Sequence, residues 1–167
     1  MRLTLTTVVL AAFSLSCTTM PTPISPDTLI AQERAALDRW GKGDPGGYLS
    51  IYDPEVTYFD PARETRADGL PAMQAYYAPI AGKIKVDRYE MIAPKVQSRG
   101  DVAVLSYQLI SHGTSASGKP YVVHWNSTKV YARPGSDWKL FHDHWSYIKP
   151  DLKEPSPEIC VAPQWRG

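Results

Sequence analysis

The 167-residue sequence predicts a single α+β domain in which helices come first and a long antiparallel sheet follows. Apolar residues recur at helical spacing before Gly82, whereas from Ile84 onward they alternate with a period of two. Turn-forming residues separate the alternating segments, as in consecutive hairpins. This segregation of helices from strands is typical of α+β domains rather than of alternating βαβ folds. Because strands twist, a sheet of long strands curls, and helices on its concave side leave a cavity.

The N-terminus predicts export. Met1 and Arg2 begin the chain with positive charge, and residues 3–15 form an apolar run that is too short for a membrane span of roughly 20 residues, as in a signal peptide over residues 1–17. Cys17 ends this run in a context that resembles a bacterial lipoprotein cleavage site. Lipidation of Cys17 with anchoring in the periplasm, plain secretion, and a disulfide from Cys17 to Cys160 all stay open.

The mature chain divides into a linker, a domain and a tail. Residues 18–26 are rich in Thr, Pro and Ser and predict a linker, residues 27–150 the domain, and residues 151–167 an irregular tail. Within the domain the pattern predicts helices over residues 27–40, 44–51 and 70–81, with a short strand over residues 55–59. Four longer strands follow, over residues 84–96, 102–111, 121–132 and 138–148.

Composition and missing motifs exclude several classes of function. The net charge of +1 comes from 18 basic and 17 acidic residues that are interspersed, so no basic stripe predicts binding to nucleic acid. The sequence contains no Gly-rich phosphate loop, no Gly-x-Ser-x-Gly elbow and no Cys-x-x-Cys pair. We therefore expect no nucleotide hydrolysis, serine esterase action or thioredoxin-like chemistry, and no cofactor is indicated.

Three segments carry a resemblance to a known family: residues 53–61, residues 68–77, and residues 138–146, which read WKLFHDHWS. Together they resemble the association (hub) domain of calcium/calmodulin-dependent protein kinase II and its bacterial relatives, within the nuclear-transport-factor-2-like and SnoaL-like superfamily. The resemblance covers residues 28–148. It implies a cone-shaped fold with a deep pocket between sheet and helices, in a homodimer or larger homo-oligomer. Relatives include ketosteroid isomerase-like enzymes, cyclases, dehydratases and non-catalytic domains, so fold does not settle function.

The resemblance also suggests which charged pocket positions have changed. Arginines of the cationic hub pocket fall at Trp145, Lys129 and Gln108, and a pocket histidine falls at Met73. Three of these four positions carry no charge here, so the acidic ligand of the hub pocket is not carried over. Lys129 stays as a candidate cation in a more aromatic setting.

The last predicted strand supplies the main catalytic candidate. Strand alternation places Phe141, Asp143 and Trp145 on one face, and the family match places that face in the pocket with Lys129. Asp143 is then a candidate general acid or base whose pKa aromatic neighbours raise, with Tyr58 or Lys129 stabilising negative charge. An Asp143 to Lys129 salt bridge with a structural role is an equal alternative. The expected ligand-binding residues are Trp125, Trp145, Tyr76, Gln108 and Phe141.

The histidines of the same strand give a second interpretation. A bulge would turn His142 and His144 into the cavity as proton carriers, or as metal ligands with His124 as the third. We favour the alternative that these histidines lie on the convex face, where superfamily members dimerise, and we therefore predict no metal. Asp60 follows Tyr58 at a place from which several superfamily enzymes project a pocket acid, although Asp60-Pro61 is equally a turn signal.

Two functions stay open from the sequence. One is a proton-transfer enzyme, namely an isomerase, cyclase, dehydratase or hydrolase, that acts on a small ring-shaped or apolar molecule. The other is an exported, non-catalytic ligand-binding or oligomerisation domain.

Overall fold

The computed structural model of the chain describes residues 24–115 and 117–148. The predicted signal peptide, most of the linker and the C-terminal tail lie outside the described residues. Among the described residues no helix is long and apolar enough to cross a membrane. The described elements are α1 Pro26–Trp40, α2 Gly46–Ile51, β1 Tyr52–Phe59, β2 Ala67–Asp68, α3 Leu70–Tyr77 with a 3₁₀ turn Ala78–Ile80, β3 Arg88–Arg99, β4 Val102–Thr114, β5 Pro120–Ala132 and β6 Lys139–Tyr147.

The strands form one six-stranded sheet in the order β2-β1-β6-β5-β4-β3. Strands β3 to β6 follow one another as an antiparallel meander, as the alternating segments predicted. Strand β1 pairs with β6 in parallel, which the sequence did not indicate. The curved, unclosed sheet with its helices at the N-terminal end of the domain confirms the predicted α+β class.

Two bulges interrupt the long strands. On β6, Val130 pairs with His142 and Tyr131 pairs with Leu140, so Phe141 is an extra residue without a cross-strand partner. On β3 the register shifts between Ile92 and Lys95, where Ala93 takes a positive φ of 48°. A bulge bends its strand and increases the local twist, so both contribute to the curvature that makes the sheet concave.

The helices cover the concave face. Helix α1 begins with Pro26, whose fixed φ suits the first helical position, and it buries Leu29, Ala36 and Leu37 together with one acid, Glu33. Helix α3 follows Gly69, which has a φ of 83°, and it buries Met73 and Tyr77. Full burial of side chains such as Leu29 and Met73 stabilises the fold by about 1.5–3 kcal/mol each.

Candidate functional site

A cavity of about 590 Å³, measured with its open end included, lies between the helices and the concave face of the sheet. Aromatic side chains from helices and strands make most of its wall. Asp60 is the one charged side chain among the described residues that line it. The lining residues are Leu37, Trp40, Tyr48, Tyr58, Asp60, Tyr77, Val86, Tyr89, Leu109, Ser111, Trp125 and Trp145.

Tyr58 and Asp60 form a hydroxyl and carboxylate pair in this wall. The Tyr58 hydroxyl donates to Asp60 Oδ2 at 2.6 Å, and the backbone N–H of Ala62 donates to Asp60 Oδ1 at 2.7 Å. Tyr58 is only 3% exposed, and burial raises its pKa well above the usual value, so this phenol keeps its proton. The half-buried Asp60 is therefore held in place as a proton acceptor that faces an apolar cavity.

The cavity tryptophans of β5 and β6 are fixed by contacts with their neighbours. The rings of Trp125 and Trp145 meet edge to face, with centroids 5.8 Å apart and an interplanar angle of 79°. The indole N–H of Trp125 donates to Ser111 Oγ at 2.9 Å. Trp145 also meets Tyr107 edge to face at 5.9 Å. These contacts hold a rigid aromatic surface against which a flat ring can pack.

A buried charge cluster lies behind this wall. Lys129, Asp143 and Glu33 are all 0% exposed. Lys129 Nζ lies 2.5 Å from Asp143 Oδ1 and 3.5 Å from Glu33 Oε1. The same ammonium lies 4.0 Å from the Trp145 ring centroid and 5.0 Å from that of Tyr48. Both rings thus supply cation–π contacts to a charge that would otherwise be costly to bury.

Glu33 receives three tyrosine hydroxyls. Tyr48 and Tyr107 donate to its Oε1 at 2.8 and 2.6 Å, and Tyr131 donates to its Oε2 at 2.8 Å. Charge-assisted bonds of this kind keep a buried carboxylate satisfied. Glu33 was not among the predicted site residues, although a carboxylate in the apolar stripe of the first predicted helix is a signal that could have identified it.

Asp143 connects the cluster to tyrosines of the cavity. The Tyr52 hydroxyl donates to Asp143 Oδ2 at 2.9 Å and lies 3.0 Å from the Tyr77 hydroxyl. Burial raises the pKa of Tyr77 above its usual value, so this phenol keeps its proton. Burial raises the pKa of Asp143 above its usual value, and the ammonium of Lys129 opposes that rise.

The structure therefore places only some of the predicted catalytic residues at the cavity. Tyr58 lines the cavity, as do Trp125 and Trp145. Asp143 and Lys129 do not line it, whereas the rings of Trp145 and Tyr48, which contact the Lys129 ammonium, do. The two residues form the buried ion pair that the sequence left as the alternative to a catalytic role.

Three predicted ligand-binding residues lie outside the cavity wall. Gln108 is exposed on the convex face and bonds to Asn126 at 3.5 Å, because Tyr107 and Leu109 occupy the inward positions of β4. Phe141 is 42% exposed, because the bulge at this residue reverses the alternation that predicted it to point inward. Tyr76 is half-buried and packs against Tyr58, with the guanidinium of Arg63 4.5 Å from its ring centroid.

The histidines lie on the convex face. His142 Nδ1 lies 2.8 Å from Thr57 Oγ1, and the Phe59 ring contacts both His142 and His144 edge to face. His144 pairs with Thr128 on β5. His124 lies four positions before Thr128 on the same strand, so His124 and His144 are about 13 Å apart. The three histidines therefore cannot share a metal ion, and the described residues contain no other group of three ligands suited to one.

The sheet topology and the cavity identify the fold of this protein. A nuclear transport factor 2-like superfamily protein from Salmonella enterica superimposes with a TM-score of 0.63 over 78% of this chain and 96% of that chain. At 18% identity this similarity shows the fold alone. The chain thus has the nuclear transport factor 2-like fold.

The family follows from the sequence match. Residues 29–149 match the model of the calcium/calmodulin dependent protein kinase II association domain, so the chain belongs to that family and the predicted resemblance is confirmed. A Parabacteroides distasonis protein provisionally named a ketosteroid isomerase is 37% identical, with a TM-score of 0.65 over 80% of this chain and 94% of that chain. The kinase hub homology domain of Chlamydamonas reinhardtii is 27% identical, with a TM-score of 0.62 over 74% and 98%. None of the curated proteins matches.

Proposed function

We propose that this protein binds a small, largely apolar, ring-shaped molecule in its cavity and moves a proton on that molecule with Asp60 as the base. The observation that carries the proposal is one carboxylate in an aromatic wall. Aromatic and aliphatic side chains favour an apolar ring, and the single negative charge disfavours an acidic ligand. The ligand class is therefore neutral or cationic, in contrast to the acidic ligand expected for the kinase hub pocket.

The chemistry that suits this site is proton abstraction from carbon next to a ring carbonyl. Asp60 would accept the proton, and the phenol of Tyr58 would hold the carboxylate in place without giving up its own proton at neutral pH. The isomerase name of the Parabacteroides distasonis protein supports this reaction class. The predicted signal peptide adds export to the proposal, either with lipid attachment at Cys17 or by plain secretion.

Binding can be measured with 2-naphthol, a neutral bicyclic probe whose hydroxyl can donate to Asp60. We expect quenching of tryptophan fluorescence on binding and a loss of affinity of about tenfold or more in Asp60→Asn, because a hydrogen bond to a charged acceptor is lost. Glu64→Gln, on the same loop but exposed, is the matched control. Val86→Trp, which fills the cavity from a half-buried lining position, should abolish binding. Equal affinity of the wild-type protein and its three variants for 2-naphthol would show that the cavity is not the binding site.

Turnover can be measured with 2-tetralone in deuterium oxide. We expect the protein to accelerate exchange of the protons next to the carbonyl, as followed by NMR, and Asp60→Asn to remove the acceleration while Glu64→Gln retains it. Binding of 2-naphthol without any exchange would leave a ligand-binding domain and contradict the catalytic part of the proposal.

A second candidate function is homo-oligomeric assembly. On the convex face Phe59 is 43% exposed and its ring contacts His142 and His144, and Phe141, the chain neighbour of His142, is 42% exposed. Exposed apolar side chains grouped in this way mark interaction surfaces. The family model that matches the chain describes an association domain, and the kinase hub proteins share the fold. We propose that a second copy of this chain covers this patch.

Light scattering tests the assembly. We expect the wild-type protein to be at least dimeric and Phe141→Ser to shift it toward monomer. Val122→Ser, at 52% exposure and far along β5 from the patch, should leave the mass unchanged. A monomeric wild-type protein would contradict assembly without affecting the ligand proposal.

A further inference from the structure

The side of the cavity formed by β4 carries a small polar side chain, Ser111. It is only 6% exposed and holds an inward position on the strand. The inward positions before it hold apolar or aromatic side chains, namely Ala103, Leu105, Tyr107 and Leu109. Serine is mostly an exposed residue, and a polar group in an apolar wall is unfavourable unless it finds hydrogen-bond partners. Packing alone therefore does not explain a serine at this position.

The hydrogen bond to Trp125 limits what Ser111 can do. The indole N–H of Trp125 donates to Ser111 Oγ at 2.9 Å, and an indole N–H cannot accept a hydrogen bond in return. The Trp125 ring is held by Trp145 and Tyr147, whose ring centroids lie 5.8 and 4.7 Å from its own. The bond thus uses one lone pair of Ser111 Oγ and leaves the hydroxyl proton to be donated elsewhere.

No described residue accepts this proton. Tyr89, which pairs with Ser111 between β3 and β4, directs its hydroxyl to Asp38 Oδ1 at 2.8 Å. Each tyrosine hydroxyl of the described cavity wall has a side-chain oxygen at 2.6 to 3.0 Å; these are Tyr48, Tyr58, Tyr77 and Tyr89. A buried donor without an acceptor is costly, so an acceptor oxygen on a ligand gains affinity at Ser111.

Ser111 and Asp60 lie on two different sides of the cavity. Asp60 follows the end of β1, whereas Ser111 is on β4, and strands β6 and β5 lie between β1 and β4. Three strand spacings separate β1 from β4, roughly 14 Å along the sheet. Trp145 of β6 and Trp125 of β5 line the cavity between them. A ligand that packs on these two rings and reaches both polar side chains is therefore elongated.

We propose that Ser111 determines ligand specificity by donating a hydrogen bond to a carbonyl oxygen at the end of the ligand remote from Asp60. The ligand class is then a neutral molecule of two or more fused rings that carries this carbonyl at its far end. This inference rests on the proposed function, which places the other end of the ligand at Asp60. Ser111 orients the ligand and takes no part in the transfer of the proton.

Two compounds of the same shape test this role. 6-Acetyl-2-naphthol and 6-isopropenyl-2-naphthol differ only in an oxygen atom that replaces a CH₂ group, and equilibrium dialysis gives the affinity of each. We expect the preference for the acetyl compound to fall about five- to tenfold in Ser111→Ala, because its carbonyl loses a hydrogen bond. Ser111→Thr, which keeps the hydroxyl, should retain the preference. Ser106→Ala, the same change on the opposite face of β4, is the matched control and should also retain it.

An unchanged preference in Ser111→Ala, or an equal loss in Ser106→Ala, would overturn the inference. Binding of 2-naphthol but of neither 6-substituted compound would also overturn it and leave the proposed function in place. Asp60→Asn separates the two proposals, since it should weaken both compounds and keep the preference between them. If Asp60→Asn binds both as tightly as the wild-type protein while Ser111→Ala loses the preference, the role of Asp60 is rejected and that of Ser111 is supported.

Discussion

The two faces of β6 differ in what their side chains contact. Asp143 and Trp145 point inward, where one joins a fully buried ion pair and the other lines the cavity. His142 and His144 point outward, against Thr57 and Phe59. The residues that look most reactive in the sequence therefore lie on the surface that we propose for assembly. The inner chemistry depends on carboxylates and phenols that come from several separate segments.

If the inner face of the sheet depends on buried charge and the outer face does not, the largest loss of stability should follow a change at Lys129. Lys129→Met leaves two buried carboxyl groups without their cation, so we expect the free energy of unfolding to fall by about 3–5 kcal/mol. Urea denaturation measures the change. Lys95→Met, an exposed lysine on β3, should change stability by less than about 0.5 kcal/mol. Equal stability of the two variants would mean that the inner face holds no essential charge.

A smaller effect is expected for one hydroxyl of the cluster. Tyr131→Phe removes a donor to Glu33 in a site without solvent, which should cost about 1–3 kcal/mol in unfolding free energy. Tyr147→Phe, at 46% exposure near the end of the same sheet, is the matched control and should be close to neutral. If Tyr147→Phe loses as much stability as Tyr131→Phe, the buried hydrogen bond to Glu33 contributes no more to stability than an exposed hydroxyl does.

The pH dependence of stability separates the two faces further. Because burial raises the pKa of Asp143, the folded protein keeps a proton that the unfolded chain loses above about pH 4. This contribution to stability is fully present below that pH and is lost as the pH rises through the folded pKa, at up to about 1.4 kcal/mol per pH unit. We expect denaturation curves measured from about pH 4 upward to show the decline, and Asp143→Asn to flatten it.

His142 should behave in the opposite sense. Desolvation lowers its pKa, so the unfolded chain takes up a proton on His142 before the folded protein does. The contribution of neutral His142 to stability is fully present above about pH 6.5, and it is lost as the pH falls through the pKa of His142 in the folded protein. The same denaturation series should show that His142→Asn removes only this loss. An unchanged profile would place His142 in a more solvated setting.

The smallest effect on the isolated subunit is expected for the convex patch. Phe141→Ser at low protein concentration should change the unfolding free energy by about 0.5 kcal/mol or less, because the ring is already 42% exposed. The same variant should still shift the assembled mass, as described above. A large loss of subunit stability would mean that Phe141 belongs to the folding core.

Local periodicity predicted the helices and the meander, because these depend on residues close in sequence, and strand alternation together with the family match predicted the inward direction of Asp143. It misplaced Phe141, since a bulge adds one residue without leaving a mark in a period-two pattern. Gln108 was misplaced because the family match fell one position away from the inward residues of β4. Tyr48, Tyr52 and Tyr77 were missed because their contacts with Lys129, with Asp143 and with one another join segments far apart in sequence, partly through the parallel pairing of β1 with β6.

Asp60 is the cavity carboxylate in this account, and Asp143 is a buried partner behind the wall. The most direct test compares the affinity of 2-naphthol for Asp60→Asn and Asp143→Asn, with thermal melting to verify that both variants fold. We predict that Asp60→Asn loses much more affinity than Asp143→Asn, because only Asp60 reaches the ligand. The reverse order, with Asp143→Asn the weaker binder, would contradict the account.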